Sequence, residues 1–312
     1  MPKGSAIAVG FEWWGPEFEK RTQGRYKVEI YPGASLIGIP AALDSAKAGV
    51  AEVVMTSTGT FPKDFPLSLV TSLPTLGFSP NKVEEYSAAY QACWDLYNKF
   101  PEIQAEFKDY KLLWLFELDP YNLVSKKKEI HYASDFKGLK VGGTGQKMDM
   151  VVANGGASVH QVPPQTYLNL DKGVVDVSFN TFGQVEPYKL HEICNYFYTQ
   201  DFGSGLIIIL MNLEAWNAMS AQDKKIMEDS WADASIQCAL GSMAEMENGR
   251  KAVVDIGKKL TNPTLAEQQL WTDAAEPVFK TWKDDAIGLG ANPKLVDDIF
   301  AEWKALRKKY TR

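Results

Sequence analysis

The stretch that decides the fold is residues 136–184, FKGLKVGGTGQKMDMVVANGGASVHQVPPQTYLNLDKGVVDVSFNTFGQ. Its apolar pattern predicts strands over 139–141, 158–162 and 174–179, joined by helices over 146–154 and 163–172. Proline begins the second helix and glycine follows both, which is typical of helix ends. The strands are almost continuously apolar, as in a parallel sheet covered on both faces. Ligands bind at the carboxyl ends of such strands, where this chain has Gly142, Gly143, Thr144 and Asn180.

A similar unit occurs earlier in the chain. It comprises a predicted strand over 28–31, a helix over 41–47, a second strand over 50–55 and then Thr56-Ser57-Thr58. Aligning KAGVAEV (47–53) with DKGVVDV (171–177) places Thr56-Ser57 over Asn180-Thr181. Two such units indicate two lobes that face each other across a cleft. The alternative is that helix–glycine–strand recurs in any α/β chain.

The composition is that of a water-soluble globular protein large enough for two domains, with 312 residues, 45% hydrophobic and 23% charged. A net charge of -6 argues against a nucleic-acid or anionic-membrane surface as the main partner. We find no apolar run of the length that a membrane span requires. Cys93, Cys194 and Cys238 have no metal-ligand spacing, and each is expected to be a small buried side chain.

The remaining chain is predicted to be mostly helical, with a few strands. Residues 7–21 and 81–107 are helical, residues 61–76 form a lid or lobe edge, and 112–118, 192–198 and 206–211 are strands. From residue 214 to about 260 the apolar spacing predicts one long helix that spans both lobes and braces them. Two C-terminal helices follow, over 265–287 and 293–308, with core anchors at Trp271, Trp282 and Trp303.

Several short motifs resemble one family when they are taken in order. They are FKGLKV (136–141), GVVD (173–176) with Asn180, EKRTQGR (19–25), PG (32–33), LIG (36–38), FPL (65–67) and LMN (210–212). Together they resemble the solute-binding proteins of TRAP transporters, the DctP-like family. The resemblance implies a two-lobed, periplasmic-binding-protein-like α/β fold with a long helix bracing both lobes. It also implies a periplasmic protein that delivers a small solute to a membrane permease.

The resemblance also divides the chain. Lobe I is expected to comprise residues 1–120 with about 212–250, and lobe II residues 121–211 with about 251–312. Family members usually begin with a strand ahead of the helix that starts here at Ile7, and with an export signal. We expect a trimmed chain or a misplaced start codon to explain why neither is seen.

Gly142 is a departure from the family pattern, in which an arginine at this position binds the solute carboxylate. A guanidinium matches a carboxylate bidentately, and no neutral side chain replaces it. Three explanations stay open. Backbone N–H groups of residues 142–145 hold the anion, another cation reaches in, with Lys126–Lys128 as candidates, or the solute is not a simple carboxylate. The first is slightly favoured because the Gly-Gly-Thr-Gly sequence permits close backbone approach.

Each remaining candidate has a structural alternative. Asn180 matches the family's ligand asparagine, or else stabilises a turn. Ser57 and Thr58 hold the equivalent place in lobe I, or cap a turn. Tyr121 and Asn122 lie where family members contact solute, or in the core. Thr144 and Gln165 begin helices that point at the cleft, or only cap them. Phe182 and Phe202 line the cavity, or pack in the core.

We therefore predict a hinge-closing binder for a small organic acid, with an aromatic or branched apolar part as one option. The alternative is a cytoplasmic α/β enzyme or ligand-sensing regulator that uses the same cleft. We expect no catalysis, because no GxSxG, P-loop, GxGxxG or HExxH pattern is present. We likewise predict no cofactor, no metal ligand set, no nucleic-acid partner and no insertion into the membrane.

Overall fold

The computed structural model describes residues 6–78, 83–117 and 119–310. The first half contains α1 (Ala6–Arg21), α2 (Ala42–Lys47), β1 (Val53–Ser57), α3 (Val83–Lys99), α4 (Pro101–Ala105), β2 (Tyr110–Glu117), β3 (Asn122–Ser125), β4 (Lys140–Gly143) and α5 (Lys147–Ala153). The second half contains β5 (Ala157–His160), α6 (Thr166–Asp171), β6 (Val177–Asn180), α7 (Leu190–Ile193), β7 (Tyr196–Tyr198), β8 (Leu206–Asn212), α8 (Leu213–Ala218), α9 (Ala221–Asp255), β9 (Lys259–Thr261), α10 (Leu265–Gly288) and α11 (Pro293–Tyr310). Short 3₁₀ turns connect several of them.

Two separate sheets form the framework of the two lobes, which confirms the predicted architecture. The first sheet has the strand order β1-β8-β2, with antiparallel pairing throughout. Its central strand, β8, is the apolar LIIIL segment, and all of its residues are buried. A strand covered on both faces requires this kind of continuous apolar sequence.

The second sheet has the order β5-β4-β6-β3-β7-β9. The predicted βαβαβ run supplies β5, β4 and β6, and these strands are parallel, as expected. Gly142 on β4 pairs with Ser178 on β6, so the carboxyl ends of both strands reach the same edge of the sheet. β3 enters antiparallel between β6 and β7.

Two extended crossings between the sheets run side by side. The backbone N–H of Tyr121, in the first crossing, donates to the carbonyl of Gly203 in the second at 3.0 Å. The N–H of Phe202 donates back to the carbonyl of Tyr121 at 3.1 Å. This paired crossing, residues 119–121 with 199–205, is called the hinge below.

The long helix α9 braces the lobes as predicted, although it is shorter than the sequence pattern indicated. The helical run breaks at Met219 and Ser220, where the Ser220 hydroxyl caps the N–H of Asp223 at 3.1 Å. α9 packs along α1 on one side and against the turn Phe182–Gln184 on the other. A Cβ on Gly249 would lie 1.9 Å from the carbonyl oxygen of Phe182, so this contact requires glycine.

Two predicted strands are wrong. Residues 28–31 form no ladder with any described strand. The N–H of Val28 instead donates to the Glu19 carboxylate at 2.8 Å, and Ile30 and Tyr31 are exposed. The first half of the predicted strand 192–198 is the short helix α7, which follows Lys189 in the left-handed region at φ 55°.

Residues 61–76 are not a lid. Phe65 and Leu73 are fully buried, and the segment includes a 3₁₀ turn at Ser68–Ser72. The Glu106 carboxylate accepts the backbone N–H groups of Leu67 and Ser68, at 2.6 and 3.1 Å. The proline and aromatic content therefore marks a tightly packed connection that belongs to the core.

The C-terminal tryptophans are core anchors, as predicted. Each is buried, and each donates its indole N–H to a partner in another part of the chain: Trp271 to Tyr198, Trp282 to Pro66 and Trp303 to Leu76. α10 packs on α5, whereas α11 packs on α3.

The residue boundaries of the lobes stay a prediction. The three cysteines are free and buried. Across the described ranges, no helix is both long and apolar enough to cross a bilayer.

Candidate ligand-binding site

The predicted rim of the second lobe is formed, and its polar side chains bind one another. Asn180 is 1% exposed. Its amide oxygen accepts the Ser178 hydroxyl at 2.7 Å, and its amide nitrogen donates to Gln184 at 3.0 Å and to Thr166 at 3.3 Å. This network positions Asn180 rigidly at the end of β6. Its contact with solute stays a prediction.

The space beside Gly142 is filled. A Cβ added there would lie 2.7 Å from Oε1 of Gln161. The Gln161 amide donates to Ser178 at 2.7 Å and to Thr166 at 3.0 Å, and it accepts from Asn169 at 2.9 Å. The glycine therefore makes room for this amide rather than for a larger solute. A Cβ on Gly143 would meet Met148 and Phe179, which are core side chains.

Lys147 is the cation that the sequence reading did not identify. It follows the glycine-rich turn at the start of α5, and only 7% of it is exposed. Its Nζ lies 3.6 Å from the centroid of the Tyr121 ring, and in the described part of the chain no carboxylate pairs with it. Burial lowers the pKa of Lys147 to about 7. A lysine directly after a glycine-rich strand end is the signal that could have found it.

Lys126 and Lys128, the other candidate cations, bind partners at the protein surface. Lys126 pairs with Asp171 at 2.8 Å, and Lys128 donates to the carbonyl of Asp135 at 2.8 Å. Gln165 is exposed, and its side chain accepts the N–H of Val162 at 3.2 Å, which is a capping contact. Thr144 is half-buried at the end of β4.

The first lobe contributes hydroxyl groups at the end of β1. The Oγ1 atoms of Thr56 and Thr58 are buried and have no hydrogen-bond partner. Ser57 shares a hydrogen bond of 2.8 Å with Thr60. Because nearly all buried polar groups are satisfied, two unpaired hydroxyls at one strand end are candidates for contact with a bound molecule.

Tyr121, in the hinge, and Asn122, directly after it, have different contacts. Tyr121 covers Lys147 with its ring, as described above. The Asn122 amide is committed locally, since it donates to the carbonyl of Pro120 at 2.8 Å and accepts the N–H of Gln200 at 3.2 Å. Asn122 thus has the contacts of a residue that holds the crossing in place.

Phe202 and Phe182 are both 1% exposed, in different surroundings. Phe202 packs edge-on against Trp271, with ring centroids 4.8 Å apart, and its contacts are those of a core residue. Phe182 lies under the guanidinium of Arg250 at 5.1 Å, and Arg250 has a buried Nε without a partner. Arg250 is thus a second cation at the interface of hinge, α9 and lobe II.

Asp119, at the start of the hinge, faces this second cation. The Tyr86 hydroxyl donates to its carboxyl group. Burial raises the pKa of Asp119 to about 7, against the opposing effects of the Tyr86 hydrogen bond and the Arg250 charge. A carboxyl group with this pKa is partly neutral near pH 7, so it compensates Arg250 only in part.

A cavity of about 430 Å³ is lined by Gln146, the residue before Lys147 in the sequence, whereas Lys147 itself does not line it. Its walls come from the segment after β1, from Gln146 after β4 and from the end of α10. Ser57, Gly142 and Asn180 do not line it. Within the described ranges, no cluster of three or more His, Cys, Asp or Glu side chains could hold a metal ion.

Comparison with known proteins identifies relatives along the whole chain. The family model described as DctP, bacterial extracellular solute-binding protein, family 7, matches residues 1–285. A monocarboxylate 2-oxoacid-binding periplasmic protein of Nostoc is 25% identical over 99% of this chain and 82% of its own length. A solute-binding protein of Albidiferax ferrireducens is 26% identical over 57% of this chain, so the chain spans about half (51%) of that relative.

Solved structures give the same result. A TRAP periplasmic solute-binding protein of Desulfovibrio salexigens superimposes with a TM-score of 0.86 at 29% identity, over 99% of this chain and 93% of that chain. In that crystal the C-terminus of a symmetry mate occupies the ligand site. A marine metagenome TRAP protein specific for aromatic acids, in complex with 3-hydroxybenzoate, gives 0.82 at 25% identity, over 97% and 93%. These relatives are binding proteins, which favours transport over the alternative of a cytoplasmic enzyme or regulator.

Proposed function

The chain belongs to the DctP family of bacterial extracellular solute-binding proteins, and from that premise we propose that it captures a small monocarboxylate between its lobes, with Lys147 as the anchor for the carboxylate. The observation that carries this proposal is a buried ammonium group without an anionic partner. A buried unpaired charge is costly unless something neutralises it. A solute carboxylate would supply the missing charge.

Charge balance favours one carboxylate over two. Lys147 has no acidic partner, whereas Arg250 is compensated in part by the carboxyl group of Asp119. A second solute carboxylate near the hinge would meet Asp119 when that group is ionised. Near pH 7 the ionised fraction of Asp119 opposes a second carboxylate at Arg250, so we expect a dicarboxylate to bind more weakly than a monocarboxylate.

The body of the solute is expected to be apolar or aromatic, because the anchor itself lies against an aromatic ring. The Tyr121 ring covers the ammonium group at 3.6 Å, so a carboxylate that reaches Lys147 also approaches this ring. The relatives point in the same direction, since one is named for 2-oxo monocarboxylates and another holds 3-hydroxybenzoate. Pockets of this kind combine mostly apolar walls with a few placed polar groups.

Capture without chemistry follows from the two-lobed architecture. The unpaired hydroxyls of Thr56 and Thr58 end a strand of the first sheet, and Lys147 follows a strand of the second. A solute that contacts both these hydroxyls and Lys147 makes all of its contacts only when the lobes close. Its binding energy then favours the closed state. As in its family, the protein acts outside the cytoplasm, and its partner is a TRAP-type permease that receives the solute.

The proposal is tested by a thermal-shift screen with benzoate, 3-hydroxybenzoate and 2-oxobutanoate, with benzamide and succinate as controls. We expect at least one monocarboxylate to raise the melting temperature and the neutral amide to have no effect, because a ligand of the native state alone stabilises it. Calorimetry on Lys147→Met should show about tenfold or greater loss of affinity, whereas the surface variant Lys126→Met keeps it. Unchanged affinity in Lys147→Met would remove Lys147 as the anchor.

A further inference from the structure

Lys147, the proposed anchor for the carboxylate, is buried in a site with no compensating charge. The Nζ of Lys147 faces the Tyr121 ring, and a Cβ at Gly145 would lie 3.8 Å from it. A ring face stabilises a cation only partly, and it accepts no proton. The ammonium group has therefore lost its water without gaining an anion.

The surrounding titratable groups do not supply that anion. On the elements packed around α5 these groups include Asp149 on α5 itself, Asp284 and Asp285 on α10, Lys140 on β4, His160 on β5 and Asp135 in the turn Ala133–Phe136. Asp284 forms an ion pair with Lys280. None of these acids forms an ion pair with Lys147, and burial alone lowers the pKa of the lysine. Burial and the neighbouring charge of Asp285 both raise the pKa of Asp149.

The acids of the hinge are engaged elsewhere. Asp201 accepts the N–H groups of Gly77 at 2.7 Å and Gly203 at 2.8 Å, and Arg307 lies 3.6 Å away. Asp119 accepts the Tyr86 hydroxyl. Glu117, at the end of β2, is buried beside Asp201, and burial and that neighbour both raise its pKa, which favours its neutral form. The described hinge therefore provides no carboxylate partner to Lys147.

We propose that Lys147 takes up a proton when a carboxylate binds, so that solute capture is linked to pH. This inference rests on the proposed function and adds a regulation to the same site. In the free protein, the lysine is a mixture of the neutral amine and the ammonium ion near neutral pH. In the complex, the solute carboxylate holds it as ammonium, because an opposite charge at hydrogen-bond distance favours the charged form.

Binding changes the protonation state of Lys147 and leaves all covalent bonds of the solute intact. A carboxylate anion and one proton enter, the neutral amine becomes ammonium, and no covalent bond to the solute forms. The free energy of the new ion pair offsets the cost of protonating a buried amine. An arginine anchor cannot behave in this way, because it stays protonated at all relevant pH values.

The expected result is a pH-dependent affinity. Above the pKa of about 7 in the free protein, each further pH unit should weaken binding about tenfold until the pKa of the complex is reached. Below pH 7 the affinity should level off, because Lys147 is then already charged in the free protein. Mildly acidic conditions thus favour capture, and alkaline conditions favour release.

The test is titration calorimetry on the whole protein at pH 8 with 3-hydroxybenzoate and 2-oxobutanoate, in phosphate and in Tris. The two buffers differ in ionisation enthalpy, so the difference between the observed heats gives the number of protons taken up. We expect about 0.9 proton per bound carboxylate, the fraction of a group of pKa 7 that is neutral at pH 8. The affinity of the unaltered protein between pH 6 and 9 is a second readout, which needs no variant.

The control is Lys147→Arg, beside the surface variant Lys126→Arg. We expect proton uptake to disappear in Lys147→Arg and to persist in Lys126→Arg. Equal heats in both buffers with tight binding would overturn the proton linkage and leave the proposed function intact. Proton uptake that persists in Lys147→Arg would assign the proton to another group and overturn this inference. Failure of every carboxylate to bind the unaltered protein would instead overturn the proposed function.

Discussion

The amide of Gln161 occupies the place where a side chain at position 142 would stand, 2.7 Å from the ideal Cβ of Gly142. Sequence reasoning interpreted this glycine as a departure from the family pattern that removes the arginine for the solute carboxylate. The structure shows instead a filled site, in which three side chains hold the Gln161 amide. Position 142 and position 161 are therefore a coupled pair, and a change at one is expected to depend on the other.

Gly142→Arg should destabilise the protein by about 1–3 kcal/mol, because the new side chain displaces a hydrogen-bonded buried amide. The measurement is chemical denaturation of the unliganded protein. Removing the amide in Gln161→Ala creates room, so Gly142→Arg should cost less in that background than in the unaltered chain. Equal costs in both backgrounds would show that the two positions are independent.

The contact between α9 and lobe II makes a second prediction. Gly249→Ala should destabilise the protein by roughly 2–4 kcal/mol, since the added methyl group would lie 1.9 Å from a carbonyl oxygen. The control is Gly288→Ala at the end of α10, where no atom lies within 4 Å of the new Cβ. That change should be neutral or stabilise slightly, by less than about 1 kcal/mol. Similar costs for both variants would contradict the tight α9 contact.

A third prediction concerns residues 61–76, which the sequence indicated as a lid or lobe edge. Glu106→Ala should cost about 2–4 kcal/mol, because it leaves the buried N–H groups of Leu67 and Ser68 without their acceptor. Glu102→Ala, at an exposed position of α4, the short helix directly before Glu106, should have little effect. If the segment were a mobile lid, hydrogen exchange at Leu67 and Ser68 would be fast in the unaltered protein, and we expect it to be slow.

The sequence predicted the elements that are set by local pattern. The βαβαβ run of residues 136–184 has clear glycine and proline boundaries, and its parallel strands are present. The segment at 28–31 has equally good strand residues but no strand beside it, so its pattern misled us. A strand forms only beside another strand, and the residue propensities of a single sequence do not show whether such a partner strand is present.

The site was harder to predict for a related reason. The glycine-rich turn drew attention to the edge of the sheet where Lys147 lies, but which cation is buried there depends on the side chains that the fold packs together. Lys147 and Tyr121 are 26 positions apart in the numbering and meet only because the hinge crosses above the start of α5. Their pairing has no local signature, whereas the lysines at 126–128 attracted attention as a visible cluster.

The last prediction is the stability of the unliganded protein as a function of pH. Lys147 has a pKa of about 7 in the folded state and 10.5 as its ordinary value. The unfolded chain therefore binds more protons than the folded one between these values, so the contribution of Lys147 to stability rises with pH in that window. Below pH 7 both states are protonated, and the full cost of burying the charge remains.

Lys147→Met removes this cost and keeps a side chain of similar length. It should raise the free energy of unfolding by roughly 2–4 kcal/mol at pH 6, and by much less at pH 10, where the lysine is already neutral in the folded state. The measurement is urea denaturation of both proteins across this range, with Lys126→Met to account for a surface charge. A gain that is the same at pH 6 and pH 10 would mean that packing, rather than the buried charge, separates the two proteins. A solute that binds Lys147 should narrow the difference, because its carboxylate stabilises the ammonium group that methionine lacks.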